Sequence, residues 1–277
     1  MKPYLPLAIL ATAALATGCA RQSDSGSAAG TTDTRIELKT LTGSYTYRLT
    51  GSAADFMRDS DITCFDSAAI VMPEKIAGRD IKPLRDSILR LAFDTIASPA
   101  DAMQAYFRRE AAKSGYTAAA IPASAAAEAS AEGLLLVDGS VTSLTPGWLT
   151  YCVTTAVSEP GAAHGLTTRR YLNYSITDGS LVTLGTLFTP AGLAALPELI
   201  AKQALRMRPV LGDTSIDALP ADGNFLVASD GTIIFAYQPY EVASYAQGEI
   251  RVPFYPYQLS DLLTPAGLRL FHLDGTL

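Results

Sequence analysis

Histidine, the residue most used for catalysis and metal binding, occurs twice in the 277 residues, as His164 and His272. Neither has a cysteine, histidine or carboxylate partner at metal-ligand spacing, and His-Glu-x-x-His, Cys-x-x-Cys and calcium-loop patterns are missing. The expectation is therefore no metal and no cofactor. Phosphate-cradling glycine loops and the Gly-x-Ser-x-Gly elbow are also missing, although a site assembled from distant residues leaves no such mark.

What remains is suited to recognition. His164 lies in Gly161-Ala-Ala-His-Gly165, small residues that let backbone or a partner approach closely. Its imidazole either bonds neighbouring backbone and fixes the loop or belongs to a recognition surface. Tyr237, Tyr240, Tyr245, Tyr255 and Tyr257 cluster shortly after it, and tyrosine offers rigid contact area with a polar tip. The alternative is that they pack the sheet. His164, Tyr237, Tyr240, Glu241 and Tyr245 are the candidate binding surface. Glycoside chemistry would need two facing carboxylates, for which Glu241 and Glu249 are merely the nearest candidates.

The three cysteines divide by context. Lys2 gives a positive start, Leu5 to Ala16 an apolar stretch, and Ala16-Thr17-Gly18-Cys19 small residues before a cysteine. This is the form of a lipoprotein signal peptide, residues 1–18, with lipid (palmitate among its chains) attached at Cys19. The apolar stretch is too short to span a hydrocarbon core of roughly 30 Å, and no later segment reaches the ~18 apolar residues a spanning helix needs. Several acyl chains on one cysteine would anchor the protein stably. The expected location is the cell envelope, on a bacterial membrane and by preference the outer one, with the folded part outside the cytoplasm. Disulfides persist there, so Cys64 and Cys152 are expected to bridge, with two buried thiols as the alternative. In the loop-entropy picture such a bridge would contribute about 3–4 kcal/mol.

These groups need a scaffold, and composition supplies one. Hydrophobic residues make up 48% and charged residues 17%, which excludes a disordered chain. Of 21 basic residues against 27 acidic, Lys2 leaves with the signal peptide, and the rest are scattered apart from pairs such as Arg108-Arg109 and Arg169-Arg170. Nucleic acid is excluded as a partner on that ground.

Residues 19–34 have the Ser, Gly, Ala and Thr composition of a flexible tether. Alternation over 35 to 49 and a run over 62 to 72, ended by Pro73, predict strands. Helical spacing predicts helices from Ile81 and from Ser98-Pro99. The Ala-rich 118 to 132 marks a boundary between an N-terminal portion, 35–130, and a C-terminal domain, 131–277. In the latter, Pro146-Gly147, Asp178-Gly179 and Asp230-Gly231 predict three hairpins, and Thr189-Pro190 a helix to about 207. A segment Leu187-Phe-Thr-Pro-Ala-Gly-Leu193 is echoed by Leu262-Leu-Thr-Pro-Ala-Gly-Leu268, read as two independent helix starts. The fold class is α+β, an antiparallel β-sheet with helices packed on one face.

Several of these segments carry a family pattern. Gly161-Ala-Ala-His-Gly165, Tyr171-Leu-Asn-Tyr-Ser-Ile-Thr-Asp-Gly179, Leu184-Gly-Thr-Leu-Phe188, Phe225-Leu-Val and the run Gly231 to Gly248 with Pro-Tyr-Glu-Val-Ala-Ser-Tyr-Ala-Gln-Gly resemble domain of unknown function 3298. That is the C-terminal extracellular domain of the anti-sigma factor RsiV, and the likeness spans roughly 135 to 265. Residues 35 to 130 resemble its companion, domain of unknown function 4163. The resemblance implies an α+β envelope domain, and in RsiV the pair binds lysozyme. It also occurs beside a polysaccharide deacetylase domain. This chain shows neither a cytoplasmic anti-sigma segment with a spanning helix nor deacetylase metal ligands, so signalling and deacetylation are not implied. Ala162 stands where the family has a second glycine, a departure in the His164 loop.

The functional expectation is a lipid-anchored, non-catalytic binding domain for a cell-wall glycan (a peptidoglycan fragment) or an envelope-attacking protein such as lysozyme. The alternatives are an envelope hydrolase with a site of scattered residues and a structural lipoprotein partnering another envelope protein.

Overall fold

Two long strands begin the fold, Ile36–Thr50 (β1) and Ile62–Ile76 (β2), paired antiparallel from Ile36↔Ile76 to Leu49↔Ile62. The computed structural model describes residues 34–50, 62–113, 117–122, 132–207, 219–221 and 223–275. The expected signal peptide, Cys19 and nearly all of the expected tether lie outside them. β2 does not stop before Pro73 as its sequence predicts. Between Ile70↔Gly139 and Lys75↔Asp80 it has no neighbour on one side, and Pro73 pairs with Leu38 at a register shift. A missing N–H is tolerated at such a place.

After a short return strand, Arg79–Asp80 (β3), come two helices, Lys82–Phe93 (α1) and Pro99–Lys113 (α2). Leu84, Ile88, Ala92 and Phe93 form the buried stripe of α1, and Asp94 ends it in a left-handed cap, its N–H donating to Arg90 O. Thr117–Ala120 (β4) joins the outer edge of β1. Gly133–Leu144 (β5), Trp148–Ser158 (β6), Leu166–Ser175 (β7) and Ser180–Val182 (β8) follow as the two expected hairpins and the link between them. The strand order is β4-β1-β2-β5-β6-β7-β8, with β3 beside β2. β5 pairs β2 in parallel, so the sheet runs on across position 131.

α1 and α2 cover one face, packing on Ile70, Met72, Val137 and Tyr151. Behind the other face lies a second layer: Leu184–Leu187 (α3), Pro190–Met207 (α4), and a three-stranded sheet of Phe225–Val227 (β9), Ile233–Tyr237 (β10) and Ile250–Phe254 (β11) in the order β11-β10-β9. A 3₁₀ turn, Pro256–Leu262, and a short helix, Pro265–Leu270 (α5), close it. The molecule is α+β. Among the described residues no helix is long and apolar enough to cross a membrane.

The two echoed segments each start a helix of their own, as expected, and they also touch each other. Phe188 bridges Leu263, Thr189 N donates to Leu262 O (2.9 Å), and Thr264 N donates to Leu187 O (2.7 Å). Each threonine also caps its own helix by accepting from Gly192 N or Gly267 N, both at 3.0 Å. A Cβ on Gly192 would lie 2.5 Å from Leu262 O, and one on Gly267 2.6 Å from Leu187 O. The repeated Thr-Pro-Ala-Gly thus serves a reciprocal contact in which each glycine admits the other segment's carbonyl.

The expected disulfide is not formed. Cys64 and Cys152 are free and buried. They lie on β2 and β6 with β5 between, so two strand spacings, roughly 9–10 Å, separate them in the sheet plane alone. Cys64 pairs with Gly133 at the start of β5 and Cys152 with Ser140 further along, which adds a displacement along the strands. A bridge needs Cα atoms within about 7 Å.

The two layers are joined by side-chain amides. The outer edge of β7 presents Arg169 O and Tyr171 N, and Asn224 answers both, Nδ2 donating at 3.1 Å and Oδ1 accepting at 3.2 Å. The outer edge of β9 presents Phe225 O and Val227 N, and Asn173 of β7 answers these at 2.8 and 2.9 Å. Thr150 adds a donor to Val227 O at 2.6 Å. Both asparagines are buried, where an unpaired amide or carbonyl costs about 1–3 kcal/mol. Replacing Asn173 by Ala strands Val227 N and Phe225 O. Urea denaturation should show a loss of about 3–5 kcal/mol; a loss below about 1 kcal/mol would mean the layers are held by apolar contact alone.

Candidate functional site

The loop between β6 and β7 and the loop after β10 meet at the surface and bring His164, Tyr240 and Tyr245 together. The His164 ring stacks on Tyr245 with centroids 3.9 Å apart and planes 16° apart, and Tyr240 stacks on Tyr245 at 5.6 Å. Tyr240 hydroxyl lies 3.3 Å from His164 Nε2. Tyr245 hydroxyl donates to Gly165 O at 2.8 Å, and His164 Nδ1 approaches the same carbonyl at 3.2 Å. The imidazole therefore contacts the backbone of its own loop and forms one of three stacked, exposed rings. Tyr240 is 60% exposed and Tyr245 36%. Tyr240 has φ +68, a conformation its side chain rarely takes, held by Tyr240 N donating to Ala243 O.

Tyr237 and Glu241, also expected on this surface, serve the scaffold. Tyr237 is 1% exposed, with its hydroxyl donating to Pro220 O; on a strand of period two it points into the core. Glu241 Oε2 accepts from Gln238 N at 2.7 Å and closes the turn that carries Tyr240. Tyr255 and Tyr257 form a separate exposed stack, 5.7 Å between centroids.

Beside the platform lies a cleft of about 410 Å³ lined by Thr167, Arg169, Pro239, Tyr245, Gln247 and Glu249 among others. Glu249 is fully engaged: Tyr171 hydroxyl donates to Oε1 at 3.0 Å, and Arg169 and Arg251 approach Oε2 at 3.4 and 3.1 Å. Burial, and secondly the Glu249 charge, push the Tyr171 phenol well above its ordinary value. With Glu241 capping backbone and Glu249 paired to two guanidinium groups, these two carboxylates are not an acid and base facing one substrate.

A second concave site escaped the sequence reading. Under the last turn of α2, Tyr47, Cys64, Asp66, Glu110 and Lys113 line a cavity of about 480 Å³ with Leu49, Leu135, Val157 and Pro160. Asp66 is 1% exposed, and its Oδ2 has no hydrogen-bond partner among the described residues. Burial, and secondly the Glu110 charge, raise its carboxyl to about 7. Burial also raises the Cys64 thiol to about 11, which makes it a poor nucleophile. The signal in the sequence was there: positions 62, 64, 66, 68, 70 and 72 of β2 read Ile, Cys, Asp, Ala, Ile, Met, a carboxylate on an otherwise inward apolar face.

Fold and surface define the class: a layered α+β protein with an exposed group of stacked aromatic rings and a partly open cavity that has one acidic wall. Residues 185–255, from α3 through β11, match the family described as Protein of unknown function (DUF3298). No curated protein matches the sequence. Two solved structures are similar. A DUF3298 family member from Bacteroides fragilis is 17% identical, with a TM-score of 0.64 over 89% of this chain and 100% of that one. A DUF3298 family protein from Pseudomonas aeruginosa is 15% identical, with a TM-score of 0.56 over 87% and 99%. At these identities the likeness is one of fold.

The Asp66 carboxyl has a consequence for stability. Its folded value, about 7, lies above the ordinary 3.8, so the folded state holds this proton more tightly than the unfolded chain. The stabilisation is complete below about pH 4 and is lost as pH rises through 7. Asp66→Asn removes the titration without changing shape. By urea denaturation, variant and parent should match near pH 4 and diverge above it, the variant being more stable by on the order of 3 kcal/mol at pH 8. A constant difference across that range would remove Asp66 as the titrating group.

Proposed function

We propose that the protein is a lipid-anchored binding module of the cell envelope, tethered through Cys19, whose His164–Tyr240–Tyr245 platform receives a cell-wall glycan or an envelope-attacking protein such as lysozyme. One observation carries the reading: three rings from two distant loops are stacked, exposed and braced by hydrogen bonds. Rigid aromatic area with polar tips contributes most at binding surfaces because little side-chain entropy is lost on association. The adjoining cleft supplies Thr167, Gln247 and the Arg169–Glu249 pair as polar neighbours. A sugar ring would stack on the platform and place its hydroxyls toward the cleft. The resemblance to the RsiV extracellular domain supports the lysozyme arm of the same reading, and the lipobox ending at Cys19 supports the anchor.

Calorimetry with soluble muropeptides and, separately, with lysozyme tests the platform. Tyr245→Ala should weaken whichever partner binds by at least tenfold and Tyr240→Ala by several-fold, while Tyr257→Ala, on the separate stack, leaves affinity unchanged. No binding of either partner to the parent protein would end this reading. In cells, Cys19→Ser should move the protein from the membrane pellet to the soluble fraction, and persistence in the pellet would contradict the anchor.

A further inference from the structure

The cavity under α2 has a chemistry of its own. Its walls are divided. Leu49, Leu135, Val157 and Pro160 make an apolar side, and Asp66 with Glu110 an acidic one. A buried carboxylate oxygen without a partner is an exception that folded proteins rarely leave. Asp66 Oδ2 is such an atom, and Asp66 is one of the residues that line the cavity.

The neighbours cannot neutralise it. Facing Asp66 from β1 is the Tyr47 phenol, pushed upward by burial and therefore neutral, and from β2 the Cys64 thiol, likewise neutral. From α2 come Glu110, of like charge, and the Tyr106 phenol, raised to about 12. Lys113 lies at the exposed end, where its Nζ is bonded to Glu110 Oε1 at 2.7 Å. Glu159, on the loop wall, adds another negative group. The last turn of α2 also presents the negative end of its dipole, which favours cations.

Asp66, Glu110 and Glu159 disfavour an anion, and the one cation in the lining, Lys113, is already paired with Glu110. A metal ion lacks donors, since no three His, Cys, Asp or Glu side chains gather among the described residues. The volume, about 480 Å³, suits a small organic molecule. We propose that this cavity is a binding site for a small primary amine with an apolar body, its ammonium donating to Asp66 and its hydrocarbon lying against Leu49, Leu135, Val157 and Pro160. The site is separate from the aromatic platform, and its occupant need not be the partner that binds there.

The test uses n-pentylamine and its isostere 1-pentanol on the full chain by calorimetry at pH 8. Saturable binding of the amine at one site is expected, with the alcohol at least tenfold weaker. Asp66→Asn should weaken the amine by at least tenfold, and Tyr257→Ala, on the separate exposed stack, should leave it unchanged. Affinity should fall as pH drops from 8 to 5, because the amine stays charged over that range while Asp66 takes up a proton. Equal binding of amine and alcohol, unchanged affinity in Asp66→Asn, a flat pH profile, or no saturable binding at all would each overturn the proposal. The alcohol comparison and pH profile need only the parent protein and decide the matter even if Asp66→Asn folds poorly.

Discussion

A strand edge must find partners for its N–H and C=O groups, and here two edges in different layers do so through each other's asparagines. The edge of β7 takes the Asn224 amide and the edge of β9 takes the Asn173 amide. An asparagine side chain suits this role because it carries one acceptor and two donors in the plane of a peptide-like group. Gln238 extends the arrangement, its Oε1 accepting from Arg169 N at 2.6 Å. Gln238 is also where the turn bearing Tyr240 begins, and β7 is where the His164 loop ends. The polar contact that joins the layers thus lies next to both loops that carry His164, Tyr240 and Tyr245.

Two carboxylates show how surroundings decide chemistry in one fold. Glu249 is nearly enclosed but meets two arginines and a phenol, so its charge is answered within the structure. Asp66 is enclosed by a phenol, a thiol and another acid, and its charge is not. The first residue stiffens the wall of the cleft beside Tyr245. The second keeps a site in which a cation would be welcome. The loop after β6 borders both regions, with Glu159 and Pro160 walling the cavity and His164 in the platform.

Much of the scaffold could be read from short-range rules. Pro146-Gly147, Asp178-Gly179 and Asp230-Gly231 mark the three hairpins, and Thr189-Pro190 marks the start of α4, because turns and caps depend on residues within a few positions. Long-range features were harder. Asn173 alternates with Leu172 and Tyr174 and by period two falls on the face opposite the core; only the second layer makes that face interior. Cys64 and Cys152 suit a bridge by compartment, but β5 lies between them. The tyrosine cluster was half legible: Tyr240 and Tyr245 reach the surface, whereas Tyr237 lies on a core-facing position of β10. The inward Asp66 was visible in the β2 alternation, yet a single carboxylate in a strand matches no motif. The echoed Thr-Pro-Ala-Gly segments were recognised as helix starts, but their mutual contact is tertiary.

Native-state hydrogen exchange on the unmodified protein tests the role of the asparagine contacts most directly. The amides of Arg169, Tyr171 and Val227 donate to side-chain oxygens rather than to another strand's backbone. If these contacts are integral to the fold, the three amides exchange only through global unfolding, with the same free energy as a central ladder amide such as Val153. Exchange at Tyr171 and Val227 that is orders of magnitude faster than at Val153 would show the second layer opening on its own and would contradict the account.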